Sequence, residues 1–308
     1  MPERHDDERY LRRCLQLAAN GLGRVRPNPL VGCVVVDADG CVVSEGLHQE
    51  YGRNHAERNA LLRLAAGQRP DTLYVNLEPC SHHGKTPPCA DLIIEKGVRR
   101  VVCCNDDPNP LVAGRGFGKL EAAGIEVVRH VLQEEGRELN RRFFTFMEQR
   151  RPYVILKWAE SADGYMATDA PYWLSTQEQN RMNHRWRTEE AAILVGSGTY
   201  LCDHPSLTAR HFLGPQPQPV VLDRRGRLTD VPGHWLHLRT QTVEATLQAL
   251  FEQKIQSVIV EGGRQVLDAF ISSGLYDEVR VLRSLQRLGA GLKAPDVPPI
   301  SPDRLIII

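Results

Sequence analysis

Apolar positions along this chain recur in two periods, and the switches between them mark out its elements. Tyr10, Leu11, Cys14, Leu15 and Ala18 stand at helical spacing and predict a helix over 6–20 that ends near Gly21. Arg26-Pro27-Asn28-Pro29 breaks that period. Two short strands are predicted at 32–36 and 41–44, joined by the tight-turn sequence Asp37-Ala38-Asp39-Gly40. Asn54 stands where it can cap a helix carrying Ala60, Leu61, Leu64 and Ala65 on one face. A strand at 72–77 follows. Pro88 suits the first turn of a helix through Leu92, Ile93 and Ile94, which Gly97 stops. A strand at 100–104, a helix at 119–123, a strand at 125–128 and a helix over 132–148 complete the first set.

The polar run Glu148-Gln149-Arg150-Arg151-Pro152 reads as a linker. Beyond it the alternation resumes. Strands are predicted at 153–159, 191–195, 220–223, 234–238, 257–260 and 278–282, with helices at 177–187, 243–254 and 265–273 and a proline-rich loop at 214–219. Strands alternating with helices imply a largely parallel sheet covered on both faces. No repeat relates the halves, so the chain divides into two α/β domains, residues 1–150 and 151–308.

Composition narrows the function. At 308 residues the chain has room for two domains of roughly 150 residues. Lys+Arg and Asp+Glu both number 38, so no global charge points to nucleic acid or to an acidic membrane surface. Residues 1–13 are crowded with charge and lack the apolar core of a signal peptide. No apolar run reaches the roughly 18 residues of a membrane span. The eight cysteines are irregularly spaced, which suits reduced thiols and metal ligands in a cytoplasmic enzyme.

The candidate chemistry is concentrated between His55 and Cys89. His55-Ala56-Glu57 is followed by Pro79-Cys80 and, nine residues on, Cys89. One imidazole and two thiols suit zinc with a fourth position open to water. A glutamate that is not itself a ligand, Glu57, can then shuttle protons, as in zinc nucleobase deaminases. Two blander readings stand beside this one. His82 or His83 could supply a fourth ligand and close a structural site, giving a zinc-stapled binding protein, or the thiols could be plain buried side chains. In the second half, Gly196-Ser197-Gly198-Thr199 and Glu261-Gly262-Gly263-Arg264 place glycines between strand and helix. Such turns let backbone N–H groups meet a phosphate, or are simple left-handed turns. No Gly-x-Gly-x-x-Gly fingerprint lies in a strand-turn-helix context.

Residues 55–60 and 77–90, together with Pro27-Asn28-Pro29-Leu30-Val31-Gly32-Cys33 and the run from Asp107 to Gly116, closely resemble the bifunctional deaminase/reductase family of riboflavin biosynthesis. The resemblance implies a cytidine-deaminase-like three-layer domain followed by a dihydrofolate-reductase-like domain. It implies one Zn2+ per chain on His55, Cys80 and Cys89, with Glu57 catalytic. The implied substrate is a diamino-pyrimidinone carrying a ribosylamino 5-phosphate, whose 2-amino group is replaced by oxygen. Asn28 and His48 match positions at the ring, and His82, Lys85, Asp107 and Asn109 match positions around the ribosyl phosphate.

In the second half the resemblance rests on Lys157, Ser161-Ala162-Asp163-Gly164, Trp173-Leu174-Ser175 and the two glycine turns. It implies NADPH-dependent reduction of the ribosyl to a ribityl chain. Ala159, Trp173, Thr199, Asp203, Gly262 and Gly263 would line the cofactor, and Lys157, Arg187, Leu207, Arg210 and Glu261 the substrate, the two arginines on its phosphate. A homo-oligomer is expected. The chain departs from the family pattern at Pro171, at Tyr165 where a basic residue is usual, and in residues 282–308, where Arg283-Ser284-Leu285-Gln286 replaces a Pro-Lys-Leu-Leu-Gly-like segment. A deaminase with a degenerate reductase domain is the alternative these departures leave.

Overall fold

The computed structural model describes residues 4–81, 87–109, 114–168 and 173–308. The chain divides into two compact units, Met1–Glu148 and Gln149–Ile308.

The first unit runs α1 (Arg4–Ala19), β1 (Gly32–Val36), β2 (Val42–Leu47), α2 (Ala56–Leu61), β3 (Thr72–Leu77), α3 (Cys89–Glu95), β4 (Arg100–Asn105), α4 (Arg115–Ala122), β5 (Glu126–Val128), α5 (Gln133–Leu139) and α6 (Arg141–Gln149). Its five-stranded sheet has the order β2-β1-β3-β4-β5. Strand β1 is antiparallel to both neighbours, whereas β3, β4 and β5 are parallel. Side chains alternate across a strand, so one strand can serve two cores. Val34, Val36, Tyr74, Val102 and Cys104 pack against Tyr10, Leu11, Cys14 and Leu17 of α1. Cys33, Val35, Leu73, Val75, Val101 and Cys103 face α2, α3 and α4 through Ala60, Leu61, Ile93, Phe117 and Leu120. The result is helix, sheet and helix in three layers.

Two local expectations are corrected here. The predicted helix over 132–148 is two helices, because Asn140 closes α5 with φ −97° and ψ 20°. Its carboxamide is committed elsewhere: Oδ1 accepts from Leu30 N at 2.8 Å and Nδ2 donates to Leu30 O at 2.9 Å. The residue that enters α2 is His55, with extended φ and ψ, and no side chain caps that helix. Asn54 instead offers its carbonyl to His48 and Asn59.

The second unit runs β6 (Tyr153–Glu160), β7 (Tyr165–Ala167), α7 (Gln177–Glu189), β8 (Ala192–Gly196), α8 (Ser197–Asp203), β9 (Gln218–Leu222), β10 (Leu236–Leu238), α9 (Val243–Glu252), β11 (Ser257–Gly262), α10 (Arg264–Ser273), β12 (Glu278–Arg283), β13 (Leu292–Lys293) and β14 (Leu305–Ile307). Seven strands form a parallel sheet in the order β10-β9-β8-β11-β6-β12-β14. One face packs on Trp186 of α7, the other on Leu247, Leu250, Leu267 and Phe270 of α9 and α10. Strands β7 and β13 pair separately as a short antiparallel ribbon. That ribbon is too short for a periodicity signal. The altered C-terminal stretch still completes the sheet: β14 pairs with β12 as its edge strand.

Strand order also locates a crevice. From β8 the chain moves outward to β9, and from β11 it crosses the other way to β12. Neighbouring parallel strands whose connections diverge leave an opening beyond their carboxyl ends, where ligands bind in open α/β sheets. Gly196 ends β8 and Gly262 ends β11, so both glycine turns lie at that opening.

Candidate active sites

In the first unit, three elements converge on one point. His55 enters α2, Cys80 follows β3 and Cys89 opens α3. Their ligand atoms all lie within 4.8 Å of one another, the only such group of three among the described residues. His55 Nδ1 stands 3.5 Å from Cys80 Sγ and 3.4 Å from Cys89 Sγ. Tetrahedral zinc, with bonds of ~2.3 Å to sulfur and ~2.05 Å to nitrogen, holds such atoms about 3.6 Å apart. The donor set and its spacing therefore fit zinc. Hydrogen bonding to Cys89, with His55 assisting, holds Cys80 below the usual thiol range, while the bond to Cys80 and burial push Cys89 up.

Glu57 lies in the first turn of α2, 3% exposed. Burial pushes its carboxyl up to about 7, and Oε2 has no hydrogen-bond partner. An orphaned buried carboxylate oxygen is costly unless water or a ligand meets it. His48 and Asn28 complete the group. His48 Nδ1 stands 3.0 Å from the Asn54 carbonyl, which can only accept, so that nitrogen carries the proton. Nε2 then accepts from Asn28 Nδ2 at 3.0 Å. The His48 and His55 rings meet edge to face, centroids 5.5 Å apart, so the Asn28–His48 pair is joined to a metal-ligand candidate through His48. Burial lowers the His48 pKa, so the imidazole is neutral in this role.

The segment holding Asn28 is itself clamped. Asn76, inside fully buried β3, accepts from Gly32 N at 2.8 Å and donates to Leu30 O at 2.9 Å, beside the two bonds from Asn140. The sequence did not single out Asn76, although a polar residue within an apolar strand is a signal that could have found it. Asp107 is buried, and burial pushes its carboxyl up to about 7. Its Oδ1 accepts from Asn109 N at 2.8 Å, forming a local turn. His82 and Lys85, like Pro171 of the second unit, lie outside the described residues.

In the second unit Lys157, Arg187 and Glu261 come together. Glu261 accepts from Arg187 Nε at 3.3 Å and Nη2 at 2.7 Å, while Lys157 Nζ stands 3.9 Å away. Arg187 Nη1 donates to Thr208 O at 3.0 Å. Burial would raise Glu261, yet Lys157 and Arg187 outweigh it and hold the carboxyl at about 2. Lys157 is lowered, burial outweighing Glu261. The guanidinium makes both hydrogen bonds to the carboxylate, and the Lys157 charge adds to its hold. Arg187, expected on a phosphate, has its fork on Glu261. Arg210 is exposed and has one donor on Ser206 Oγ at 3.0 Å. Leu207 is buried at φ 51°.

Thr199 and the Gly262-Gly263 turn meet at the crevice. Gly263 has φ 76°, and a Cβ there would stand 2.9 Å from Thr199 Oγ1. Such a bare, close turn at a strand end can receive a pyrophosphate. Arg227, which the sequence did not single out, donates from Nη2 to Ser197 Oγ at 2.9 Å beside it. Asp203 closes α8, Trp173 is 66% exposed, and Ala159 lies near the end of β6. Asp163 accepts from Ser161 Oγ, Leu288 N and Gly289 N, tying its turn to the C-terminal stretch. Where the family offers a basic residue, Tyr165 carries the Lys293 ammonium 4.1 Å from its ring centroid.

Comparison with known proteins defines the class. Residues 4–105 match the cytidine and deoxycytidylate deaminase zinc-binding region, and residues 152–295 match the RibD C-terminal domain. This is a two-domain enzyme, a zinc-binding deaminase domain followed by a reductase domain that uses NADPH. The riboflavin biosynthesis protein RibD of Aquifex aeolicus is 38% identical over 326 residues, covering 96% of this chain and 91% of its own. A crystal structure from Thermotoga maritima, a diaminohydroxyphosphoribosylaminopyrimidine deaminase/5-amino-6-(5-phosphoribosylamino)uracil reductase, is 38% identical with a TM-score of 0.86, covering 96% of this chain and 93% of that one. Acinetobacter baumannii RibD is 34% identical with a TM-score of 0.88, covering 96% and 92%. The chain belongs to the RibD family of bifunctional riboflavin-biosynthesis enzymes.

Proposed function

We propose that the chain acts on the substrates named for its Thermotoga relative, deaminating 2,5-diamino-6-(5-phosphoribosylamino)pyrimidin-4-one and then reducing the ribosyl side chain to ribityl. The observation that carries this reading is the orphaned Oε2 of buried Glu57 in the first turn of the helix that His55 enters, with two thiols at zinc-binding distance. His55, Cys80 and Cys89 would hold zinc, which supplies the Lewis acidity that makes water a nucleophile near neutral pH.

Glu57 takes the proton of the attacking water as oxygen bonds to the amine-bearing ring carbon. It passes that proton to the adjacent ring nitrogen, then carries the proton of the newly added hydroxyl to the amine, and the C–N bond breaks to release ammonia and leave a carbonyl. Burial, which pushes this carboxyl up, suits it to taking a proton and returning it. Asn28, oriented by neutral His48, offers its carboxamide to the ring. Asp107 and Asn109, with His82 and Lys85, are assigned to the ribosyl phosphate.

In the second unit NADPH supplies the hydride. Thr199, Asp203, Gly262 and Gly263 would hold it at the strand crevice, with Ala159 and Trp173. Lys157 and Glu261, oriented by Arg187, face the reacting sugar, and Leu207 and Arg210 bound the substrate on its other side. We further propose a cytoplasmic homo-oligomer without a nucleic-acid or membrane partner. Support comes from the balanced charge, and no described helix is long and apolar enough to cross a membrane.

The test is incubation with the pyrimidine substrate, with and without NADPH, followed by mass spectrometry. Hydrolytic deamination changes the mass by about +1 Da. Reduction adds about +2 Da. The first change alone, with NADPH present, would identify a degenerate reductase domain. Neither change would overturn the reading.

A further inference from the structure

Glu78 stands one residue beyond β3 and two before Cys80. Its side chain is buried, 4% of the residue being exposed, and no lysine or arginine pairs with it among the described salt bridges. What holds its charge is backbone. Oε2 accepts from Asp107 N at 3.3 Å and from Gly114 N at 3.0 Å. Oε1 accepts from Gly116 N at 2.9 Å and Phe117 N at 3.3 Å. The last two donors are first-turn N–H groups of α4, which have no partner within the helix and favour an anion.

These four donors come from two places. One is Asp107, two residues past β4, and three are Gly114, Gly116 and Phe117, where α4 begins. A single carboxylate thus ties the turn that carries Asp107 and Asn109 to the start of α4. The same residue's main chain leads directly to Cys80. Close packing fixes the join further: a Cβ on Gly116 would come within 1.9 Å of the Pro79 carbonyl. Glu78 N also donates to Asn105 O at 3.0 Å, tying the end of β3 to the end of β4.

We propose that Glu78 is a positioning residue of the deaminase reaction, setting the distance between the metal ligands and the Asp107–Asn109 turn that receives the substrate's phosphoribosyl end. This rests on the assignment of Asp107 and Asn109 to that end. The geometry assigns Glu78 no contact with the reacting atoms. Its removal therefore acts on substrate binding, leaving metal and proton transfer in place. Gln at this position keeps the shape but offers N–H groups to two of the four donors, whichever way its amide turns, releasing the Asp107–Gly114 pair or the Gly116–Phe117 pair. Asp keeps the charge one methylene short.

The experiment uses the full chain with zinc bound. Glu78→Gln, Glu78→Asp and Asn109→Ala are compared with wild type for zinc content, deaminase KM and kcat, and reductase turnover, the last reporting that the chain is folded. Expected for Glu78→Gln is a KM about tenfold higher with kcat within threefold, full zinc and unchanged reductase turnover. Glu78→Asp should fall between, and it carries the test should Glu78→Gln not fold. An unchanged KM, or loss of zinc and kcat together, overturns the proposal. Wild-type KM in Asn109→Ala alongside a raised KM in Glu78→Gln overturns the assignment of the turn instead. Wild-type enzyme that releases no ammonia overturns the functional reading beneath both.

Discussion

At the residue scale, function rests on buried charges whose partners are few. Glu57 is held near neutrality by burial and keeps one oxygen unsatisfied. Glu57→Gln is isosteric and should keep zinc, measured by metal analysis, while ammonia release falls by about 10²–10⁴-fold. A variant that deaminates at the wild-type rate would remove Glu57 from proton transfer. Glu261 is the opposite case, a buried carboxyl held at about 2 against a reference of 4.5. A depressed folded pKa contributes stability that is present above the unfolded value and is lost as pH falls through the folded one. Between pH 4.5 and about 2 the second unit should therefore lose stability. Glu261→Gln should flatten that loss and destabilise the unit by about 3 kcal/mol at neutral pH, since Arg187 and Lys157 stay buried without a counter-charge. Urea unfolding across that pH range would check both, and an unchanged acid limb would show that the pair adds nothing.

At the scale of elements, the turns between strand and helix carry the function, and legibility in sequence varied with how local their causes are. The His55–Cys89 stretch was readable because ligand types, spacing and helix starts all lie within one short segment. The Gly262-Gly263 turn was readable as a glycine pair, and its close approach to Thr199 supplies the reason for it. Gly263→Ala forces a side chain into φ 76°, ψ 142°, a positive-φ region that essentially only glycine occupies, at a cost on the order of 1–3 kcal/mol. It should weaken NADPH binding several-fold in a fluorescence titration, whereas unchanged binding would detach the turn from the cofactor. Causes acting across long sequence separation were not readable. Asn140 splits a helix because its carboxamide serves Leu30, 110 residues away, and nothing in the local apolar period announces that. Glu78 stood just past the strand expected at 72–77 with no role assigned to it, its four donors lying 29 to 39 residues downstream. The resemblance gave Arg187 and Glu261 as substrate residues, and their pairing across 74 residues is something no local pattern announces.

At the scale of the whole molecule, alternation of strand and helix was enough for two α/β units, since period and turn chemistry are local properties. Strand order was not, because it depends on which edge each crossover takes. That order decides function in the second unit: it sets the diverging connections of β8 and β11 and so the crevice where the glycine turns stand. The C-terminal stretch shows the same limit, departing in sequence from the family yet supplying the edge strand β14. The claim on which the rest depends is that the first unit holds a catalytic zinc, and X-ray absorption at the zinc edge of the purified enzyme tests it most directly. Two sulfur and one nitrogen donor from Cys80, Cys89 and His55, with one oxygen from water, is the predicted shell. Four protein donors, with a second imidazole in place of the oxygen, would make the site a structural staple and contradict the assignment of catalysis to it.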